Sequence, residues 1–229
     1  MASYFDLKGT TIDSFKIGKG GPTLNRSGSN IIKLNNTEQL LTEANLHPGY
    51  LPNKWYTDTI LFDAFTASAN TSTTNTVSYY PFQIFRPVNI VRFSFNQTVS
   101  TATALFRFGI YSNNPSTFLP QTLIASSAEI TLSGIGDKGF DTTTTLTPGW
   151  YWKALNQTSG TGSFSSETGY PAVSYYVGSS TFGIATSNIV YGYRNDLTYT
   201  NATLPTTAVI NDLTEITGVH PIMFFKTAS

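Results

Sequence analysis

The sequence predicts an all-β protein whose antiparallel strands form a sandwich or a barrel. Short apolar segments are separated by turn-forming residues at intervals of roughly eight to fifteen residues, a spacing typical of such folds. Aromatic side chains recur at every second position, as in Phe106 and Phe108 and again in Trp150 and Trp152, which is the period of a strand. Helical periodicity is almost absent, so the sequence does not predict alternating β-α-β units.

The first 54 residues form a region of their own. Segments 15–22 and 29–34 are predicted as two short strands joined by a turn-rich stretch at 25–28. A two-stranded hairpin is marginally stable in water. Residues 1–54 are therefore predicted to be an extended β arm that needs a partner surface: the main domain, another copy of the chain, or a larger assembly.

One short helix is predicted within this arm, at 36–44. Asn36 or Thr37 is suited to its N-cap, and acidic residues occupy its first turn. The organisation changes near Trp55, after which the pattern is entirely that of strands. We therefore place a β-sandwich domain at 55–229.

The strands of this domain follow from apolar alternation. They are predicted at 59–65, 77–85, 89–95, 104–111, 123–132, 139–146, 149–155, 172–177, 189–193 and 220–226. Successive strand residues point to opposite sides of a sheet, so one face of each strand is predicted to be core. The predicted core residues are Val91, Phe93, Phe95, Phe106, Phe108, Ile110, Trp150 and Trp152.

Charge and composition exclude several classes of function. Lys and Arg together number 13, as do Asp and Glu, and only 11% of residues are charged. Nucleic-acid binding needs clustered cations that this chain lacks, so we expect no nucleic-acid partner. There is no cysteine, which excludes disulfides and thiolate chemistry. No signal peptide and no run of eighteen apolar residues is found, so we expect cytoplasmic synthesis without membrane insertion.

No pattern in the sequence indicates catalysis. The two histidines, His47 and His220, both precede proline, which is typical of extended or loop residues. Asp137 and Asp141 are interpreted as residues that bracket a turn. We therefore predict no catalytic, cofactor-binding or metal-binding residue, no cofactor, and a protein that is not an enzyme. A glycan-cleaving enzyme, which needs two facing carboxyls, is the alternative from another class.

Tyrosines are concentrated in the last third of the chain. Tyrosine offers a flat apolar face and a hydroxyl, which suits sugar or protein surfaces. Subunit interface, core packing and ligand recognition all stay open for this region. The candidate ligand-binding residues are Tyr191, Tyr193, Arg194, Asp196 and Tyr199.

Three segments together resemble a known group of proteins. The segment 80–95 is followed by Arg107-Phe-Gly-Ile-Tyr111 and then by Leu146-Thr-Pro-Gly-Trp-Tyr-Trp152. Their order and spacing are similar to those of the β-sandwich domain found in bacteriophage tail-fibre, receptor-binding and other virion surface proteins. The resemblance covers roughly residues 56–229 and operates at the level of the fold. Segment 15–22 also resembles the short β segments by which phage fibres attach or begin a trimeric stem.

The resemblance implies a jelly-roll-like sandwich, a homotrimer and a place on the virion. The expected function is that of a non-enzymatic structural protein, a trimeric tail fibre or receptor-binding protein that displays its sandwich toward the host surface. The expected partners are the chain itself, other virion proteins through residues 1–54, and a host surface glycan. The alternative is a capsid decoration protein, also called a cement protein, whose arm clamps capsid subunits.

Overall fold

A computed structural model describes residues 14–16, 23–26, 32–34, 38–39, 49–58, 75–101, 103–160, 162–167, 190–195, 203–217 and 220–229. Every element of regular secondary structure among these residues is a β-strand, and the strands within each sheet run antiparallel. Two of the sheets pack against each other as a sandwich. The predicted fold class is therefore confirmed.

The chain divides into two compact units, 1–48 and 49–229, where the sequence suggested a division after residue 54. The first unit contains a four-stranded sheet in the order β1-β2-β3-β4. Its strands are β1 (Ser14–Lys16), β2 (Thr23–Arg26), β3 (Ile32–Leu34) and β4 (Glu38–Gln39). The described residues of the arm thus contain four strands, where the sequence predicted two.

The predicted helix at 36–44 is wrong where it can be checked. Glu38 and Gln39 form β4 and pair with Leu34 and Lys33 of β3. A helix of two turns is marginal in water, whereas the edge of β3 offers these residues backbone hydrogen bonds. The other residues of the predicted helix lie outside the described ranges.

The second unit contains the two sheets of the sandwich. Its strands are β5 (Trp55–Thr57), β6 (Val77–Ile84), β7 (Val88–Val99), β8 (Leu105–Asn114), β9 (Leu119–Ser126), β10 (Ile130–Thr131), β11 (Gly136–Leu146), β12 (Gly149–Ser159), β13 (Ser163–Phe164), β14 (Ser166–Glu167), β15 (Val190–Asn195), β16 (Leu213–Thr217), β17 (His220–Pro221) and β18 (Met223–Thr227). The larger sheet has the order β10-β8-β12-β6-β15-β16, with β9 also paired to β8. The smaller sheet has the order β11-β7-β18-β5, with β13 paired to β7, and β14 pairs with β17 separately.

The chain crosses repeatedly between the two sheets. Strands β5, β7 and β11 belong to the smaller sheet, while β6, β8 and β12 belong to the larger one. Each crossing places consecutive strands on opposite sides of the core, as in a β-sandwich. Most predicted strands coincide with observed ones, although the segment 123–132 is split between β9 and β10. The strands predicted at 59–65 and 172–177 lie outside the described residues.

The main core fills the space between the two sheets. Aromatic rings dominate it, and Phe95 and Phe108 stack across the interface with ring centroids 4.5 Å apart. The predicted core residues Phe93, Phe95, Phe106, Phe108 and Ile110 all belong to it. Val91 does not, because its strand slips by one residue at this point. Arg92 faces Lys226 while Ile90 faces Thr227, so a β-bulge at Val91 brings Ile90 to the core instead.

A second core covers the outer face of the larger sheet. It contains Trp152, Tyr79 and Tyr111, over which Leu204 and Ala208 pack. The prediction that Trp152 is buried is confirmed, but the ring faces away from the space between the sheets. Trp150 is half-buried, with its ring 5.2 Å from that of Phe118. The side of β12 that faces the main core carries Tyr151 and Leu155.

Candidate functional site

The structure separates the predicted tyrosine site into two environments. Tyr191 is 1% exposed and belongs to the main core. Tyr193 is half-buried on the opposite face of the sheet, with its ring 6.0 Å from that of Trp152. Residues two apart normally share a face, but β15 slips between Val190 and Gly192, and this bulge places the two rings on opposite sides. A surface ligand therefore does not reach the Tyr191 ring.

The other predicted site residues are only partly described. Arg194 is half-buried and lies opposite Ser78 of β6 and Thr214 of β16. Burial raises the pKa of Tyr193, and the nearby Glu215 raises it further. Asp196 and Tyr199 lie outside the described residues. Tyr193 is thus the described member of the predicted set that packs on the outer face of the larger sheet, and Arg194, the next residue on β15, points to the other face.

A lysine lies in the middle of the sandwich. Lys153 is on β12, opposite Ile110 of β8 and Tyr80 of β6. Since Tyr151 and Leu155 of the same strand face the main core, strand alternation directs Lys153 there too. Its side chain is 0% exposed.

The partner of this lysine comes from the opposite sheet. Asp58 directly follows β5, and its side chain is also 0% exposed. Lys153 Nζ donates hydrogen bonds to Asp58 Oδ2 and to the backbone carbonyl of Pro221. Asp58 Oδ1 accepts a hydrogen bond of 3.0 Å from the Met223 backbone N–H. This buried pair therefore connects the centre of the larger sheet with β5 and the chain segment that leads into β18.

Burial sets the electrostatics of the pair. Desolvation raises the pKa of Asp58, although Lys153 opposes that rise by attraction and hydrogen bonding. Lys153 Nζ also lies 5.8 Å from the centroid of the Tyr80 ring, where a cation is stabilised by the ring face. Taking two charges out of water costs several kcal/mol per ion before their attraction is counted. The arrangement is thus a costly polar feature in an otherwise aromatic core.

A histidine is buried beside this pair. The His220 ring lies 5.6 Å from the ring of Tyr80 and 6.1 Å from that of Tyr191. Within the described part of the chain, neither of its ring nitrogens has a hydrogen-bond partner. Desolvation, with a contribution from Lys153, lowers its pKa well below 6.5. His220 is therefore neutral at pH 7 and buried in the core. Its place on β17 agrees with the predicted extended residue, but its burial was not predicted.

Mild acid is expected to destabilise the sandwich through His220. Below pH 6.5 the unfolded chain protonates this histidine while the folded chain does not. Stability is therefore lost as the pH falls from 6.5 toward the folded pKa, with a slope of up to about 1.4 kcal/mol per pH unit. Urea unfolding of the full chain between about pH 7.5 and pH 5 measures this loss.

The variant His220→Phe isolates this effect, because it retains a ring between Tyr80 and Tyr191 and cannot be protonated. Asp58 acts in the opposite direction, since its raised pKa gives stability at low pH that is lost as the pH rises from 3.8 through its folded pKa. That contribution is common to both proteins, so the difference between their pH profiles belongs to His220. If the free energy of unfolding fell with pH equally in the wild-type protein and in His220→Phe, the prediction would be contradicted.

The two aspartates interpreted as bracketing a turn lie on a strand instead. Asp137 and Asp141 are both on β11, and both pair with Arg92 of β7, at 3.1 Å and 2.8 Å. Partial burial alone raises the pKa of Asp137, but hydrogen bonds from Arg92 and Ser94 outweigh it, and the pKa falls. Arg92 therefore lies between the two carboxylates as their shared partner. The interpretation as a turn is wrong because both residues lie within β11, where Asp141 pairs with Arg92 and Asp137 pairs with Asn96 on the same face, within reach of the Arg92 side chain.

The described residues contain no group of three or more His, Asp or Glu side chains arranged to hold a metal ion. They also contain no helix long and apolar enough to cross a membrane.

No protein-family model matches the chain, and a search of curated proteins finds no significant relative. The buried Lys153 and Asp58 are the residues that sequence reasoning missed. One signal was available for the lysine, since it occupies a core-facing position between Tyr151 and Leu155. No local pattern indicated Asp58, because its partner is 95 residues away.

Proposed function

We propose that this chain is a non-enzymatic structural protein of a bacteriophage virion, a trimeric tail fibre or receptor-binding protein. The observation that carries the proposal is the placement of the segments that resemble virion sandwiches. Arg107-Phe-Gly-Ile-Tyr111 lies on β8 and the Trp150-Tyr-Trp152 segment on β12. These strands are neighbours at the centre of the larger sheet, with Trp152 opposite Tyr111. Segments distant in sequence therefore form one structural unit, which supports a likeness of fold.

The edge of the smaller sheet supports the proposed trimer. Strand β5 lies at this edge, and the apolar side chains of Trp55 and Leu51 beside it are 45% and 65% exposed. Exposed sheet edges and large apolar side chains are typical of surfaces that pair with another chain. A closed trimer would cover three such edges by symmetry.

The outer edge of the larger sheet is the proposed recognition surface. Tyr193 lies on β15, next to the edge strand β16, which carries Glu215 opposite Tyr193. An aromatic ring combined with a carboxylate suits a surface glycan. Of the five residues predicted from sequence, this surface contains Tyr193, whereas Tyr191 is removed by its burial and Arg194 points to the other face of the sheet.

The position of the protein on the particle tests the proposed function. Antibodies raised against the purified full chain are used to label phage particles from the encoding host in electron micrographs. Label at the tail, together with binding of the purified protein to host cells, is the expected result. Label on the capsid surface would favour a decoration protein instead, and particles without label would overturn a virion role.

Replacing Trp55 is expected to break the trimer. The mass of the wild-type protein measured by light scattering should be three times 25.0 kDa. The mass of Trp55→Ser should fall to that of a single chain, because the apolar contact at the edge of β5 is lost. Ile135→Ser removes an equally apolar exposed side chain next to β11 and should leave the trimer intact. A Trp55→Ser protein that keeps the wild-type mass would exclude this edge as the interface.

A further inference from the structure

The buried pair holds an amine and a carboxyl in contact, away from bulk solvent. The side chains of Lys153 and Asp58 are each 0% exposed, and the rings of Tyr80 and Tyr191 belong to the same core. Two groups held together in this way react as if present at very high concentration, because the entropy of bringing them together has already been lost in folding. The exclusion of water also disfavours the reverse hydrolysis.

The hydrogen bonds of the pair fix how the two groups meet. Lys153 Nζ is held by Asp58 Oδ2 on one side and by the Pro221 carbonyl on the other. The Met223 N–H donates to the remaining oxygen, Asp58 Oδ1, and the Asp58 backbone N–H donates to the Met223 carbonyl at 3.0 Å. The carboxyl is therefore anchored at both its side chain and its backbone. One oxygen faces the amine, while the other faces a backbone donor.

The protonation state of the pair favours a reaction between neutral groups. Desolvation raises the pKa of the Asp58 carboxyl, so the cost of moving one proton from the ammonium to the carboxylate is lower here than in water. After this proton transfer, a neutral amine lies in contact with a carboxylic acid. His220, which burial keeps neutral, adds no competing cation.

We propose that Lys153 and Asp58 form an intramolecular amide cross-link between the two sheets. After one proton passes from Nζ to Oδ2, the Nζ lone pair attacks Cγ, and the Nζ–Cγ bond forms. The carbonyl π pair moves onto Oδ1, where the Met223 N–H stabilises the developing charge. As Nζ gives Oδ2 a second proton, the Oδ1 electron pair re-forms the carbonyl, the Cγ–Oδ2 bond breaks, and its electron pair leaves with Oδ2 in one water molecule. The reaction needs no oxidant, reductant or activated intermediate.

The cross-link would join positions that are 95 residues apart. It connects the residue that follows β5 in the smaller sheet with the centre of β12 in the larger one. A chain without cysteine would thereby gain a covalent connection across its core. The inference stands on the geometry of the pair and is independent of the proposed virion function.

Intact mass of the full chain, measured after denaturation, tests the cross-link. The wild-type protein is expected to be lighter than its sequence by the mass of one water molecule. Lys153→Arg and Asp58→Ala should each restore the full sequence mass, because each variant lacks one of the two groups that form this amide. Lys138→Arg is the matched control, since Lys138 Nζ bonds an exposed backbone carbonyl of Ser133, and it should keep the deficit.

Peptide mapping locates the bond. Proteolysis of the wild-type protein should yield one branched peptide that contains both Asp58 and Lys153, and the two variants should yield the separate linear peptides. A wild-type mass equal to the sequence mass would overturn the proposal. A deficit that maps to one aspartate alone, as a cyclic imide at Asp137 would do, would also overturn it. These measurements are made on denatured protein, so they remain decisive even if a variant fails to fold.

Discussion

Replacing Lys153 with methionine is expected to lower the free energy of unfolding by at least about 3–5 kcal/mol. Methionine retains an apolar stem of similar reach, so the core stays filled, but Asp58 loses its partner while it is fully buried. Removing one member of a buried pair carries a cost of this size because the other group is left uncompensated. Urea unfolding of the full chain measures the loss.

Two comparisons separate the contributions to this loss. The double variant Lys153→Met with Asp58→Asn carries no buried charge, so it should recover the part that comes from the unpaired carboxylate. The proposed amide closes a loop of 95 residues, for which cross-linking contributes about 4–5 kcal/mol, and the double variant cannot recover that part. Lys138→Met, on the surface, should change stability by no more than about 0.5 kcal/mol. A Lys153→Met protein as stable as the wild type would show that the pair is not buried.

Replacing Trp152 with alanine is expected to cost about 3–5 kcal/mol, the range for truncation of a buried large aromatic side chain. Trp152 is 0% exposed, and its ring lies against those of Phe118 and Tyr193. Its Nε1 donates a 2.9 Å hydrogen bond to Asn113 Oδ1. The variant removes this donor, so Asn113 Oδ1 loses the bond. Thermal or urea unfolding of the full chain provides the measurement.

The region that Trp152→Ala destabilises first can also be predicted. Trp152 supports the second core, so the segment at 203–212 that packs over it should lose protection from hydrogen exchange before the strands around the main core do. Trp150→Ala is the matched control, because it removes the same side chain from a half-buried position two residues away, and its effect should be smaller. Equal losses for the two variants, or uniform deprotection of both cores, would contradict this assignment.

Local sequence pattern predicted the strands well and their faces less well. The alternation of Phe106, Phe108 and Ile110 identified the core side of β8 correctly, because an uninterrupted strand keeps its period. The same reasoning failed at Val91, where a single extra residue in a bulge reverses the face of everything beyond it. A second bulge, between Val190 and Gly192, places Tyr191 and Tyr193 on opposite faces. Bulges form in response to the neighbouring strand. Gly192 is of a residue type that often marks a bulge in a strand, whereas no residue near Val91 indicates one.

The candidate site was beyond prediction for a different reason. Lys153 and Asp58 meet only because β12 and the residue after β5 face each other across the sandwich. His220 was correctly read as an extended residue, yet its burial depends on Tyr80 and Tyr191, which come from two other strands. Proximity between distant segments is a property of the folded chain, so the spacing of motifs along the sequence does not indicate it.

The all-β class, the positions of most strands in the sandwich and the aromatic character of its core follow from local sequence, because strand period and turn chemistry act over a few residues. The outward direction of Trp152 depends on the folded chain, since its cover comes from Leu204 and Ala208, some fifty residues along the chain. The meeting of a lysine and an aspartate inside the sandwich depends on it as well. Burial of a charged group requires a partner from elsewhere in the fold, and the packing of the two sheets supplies it.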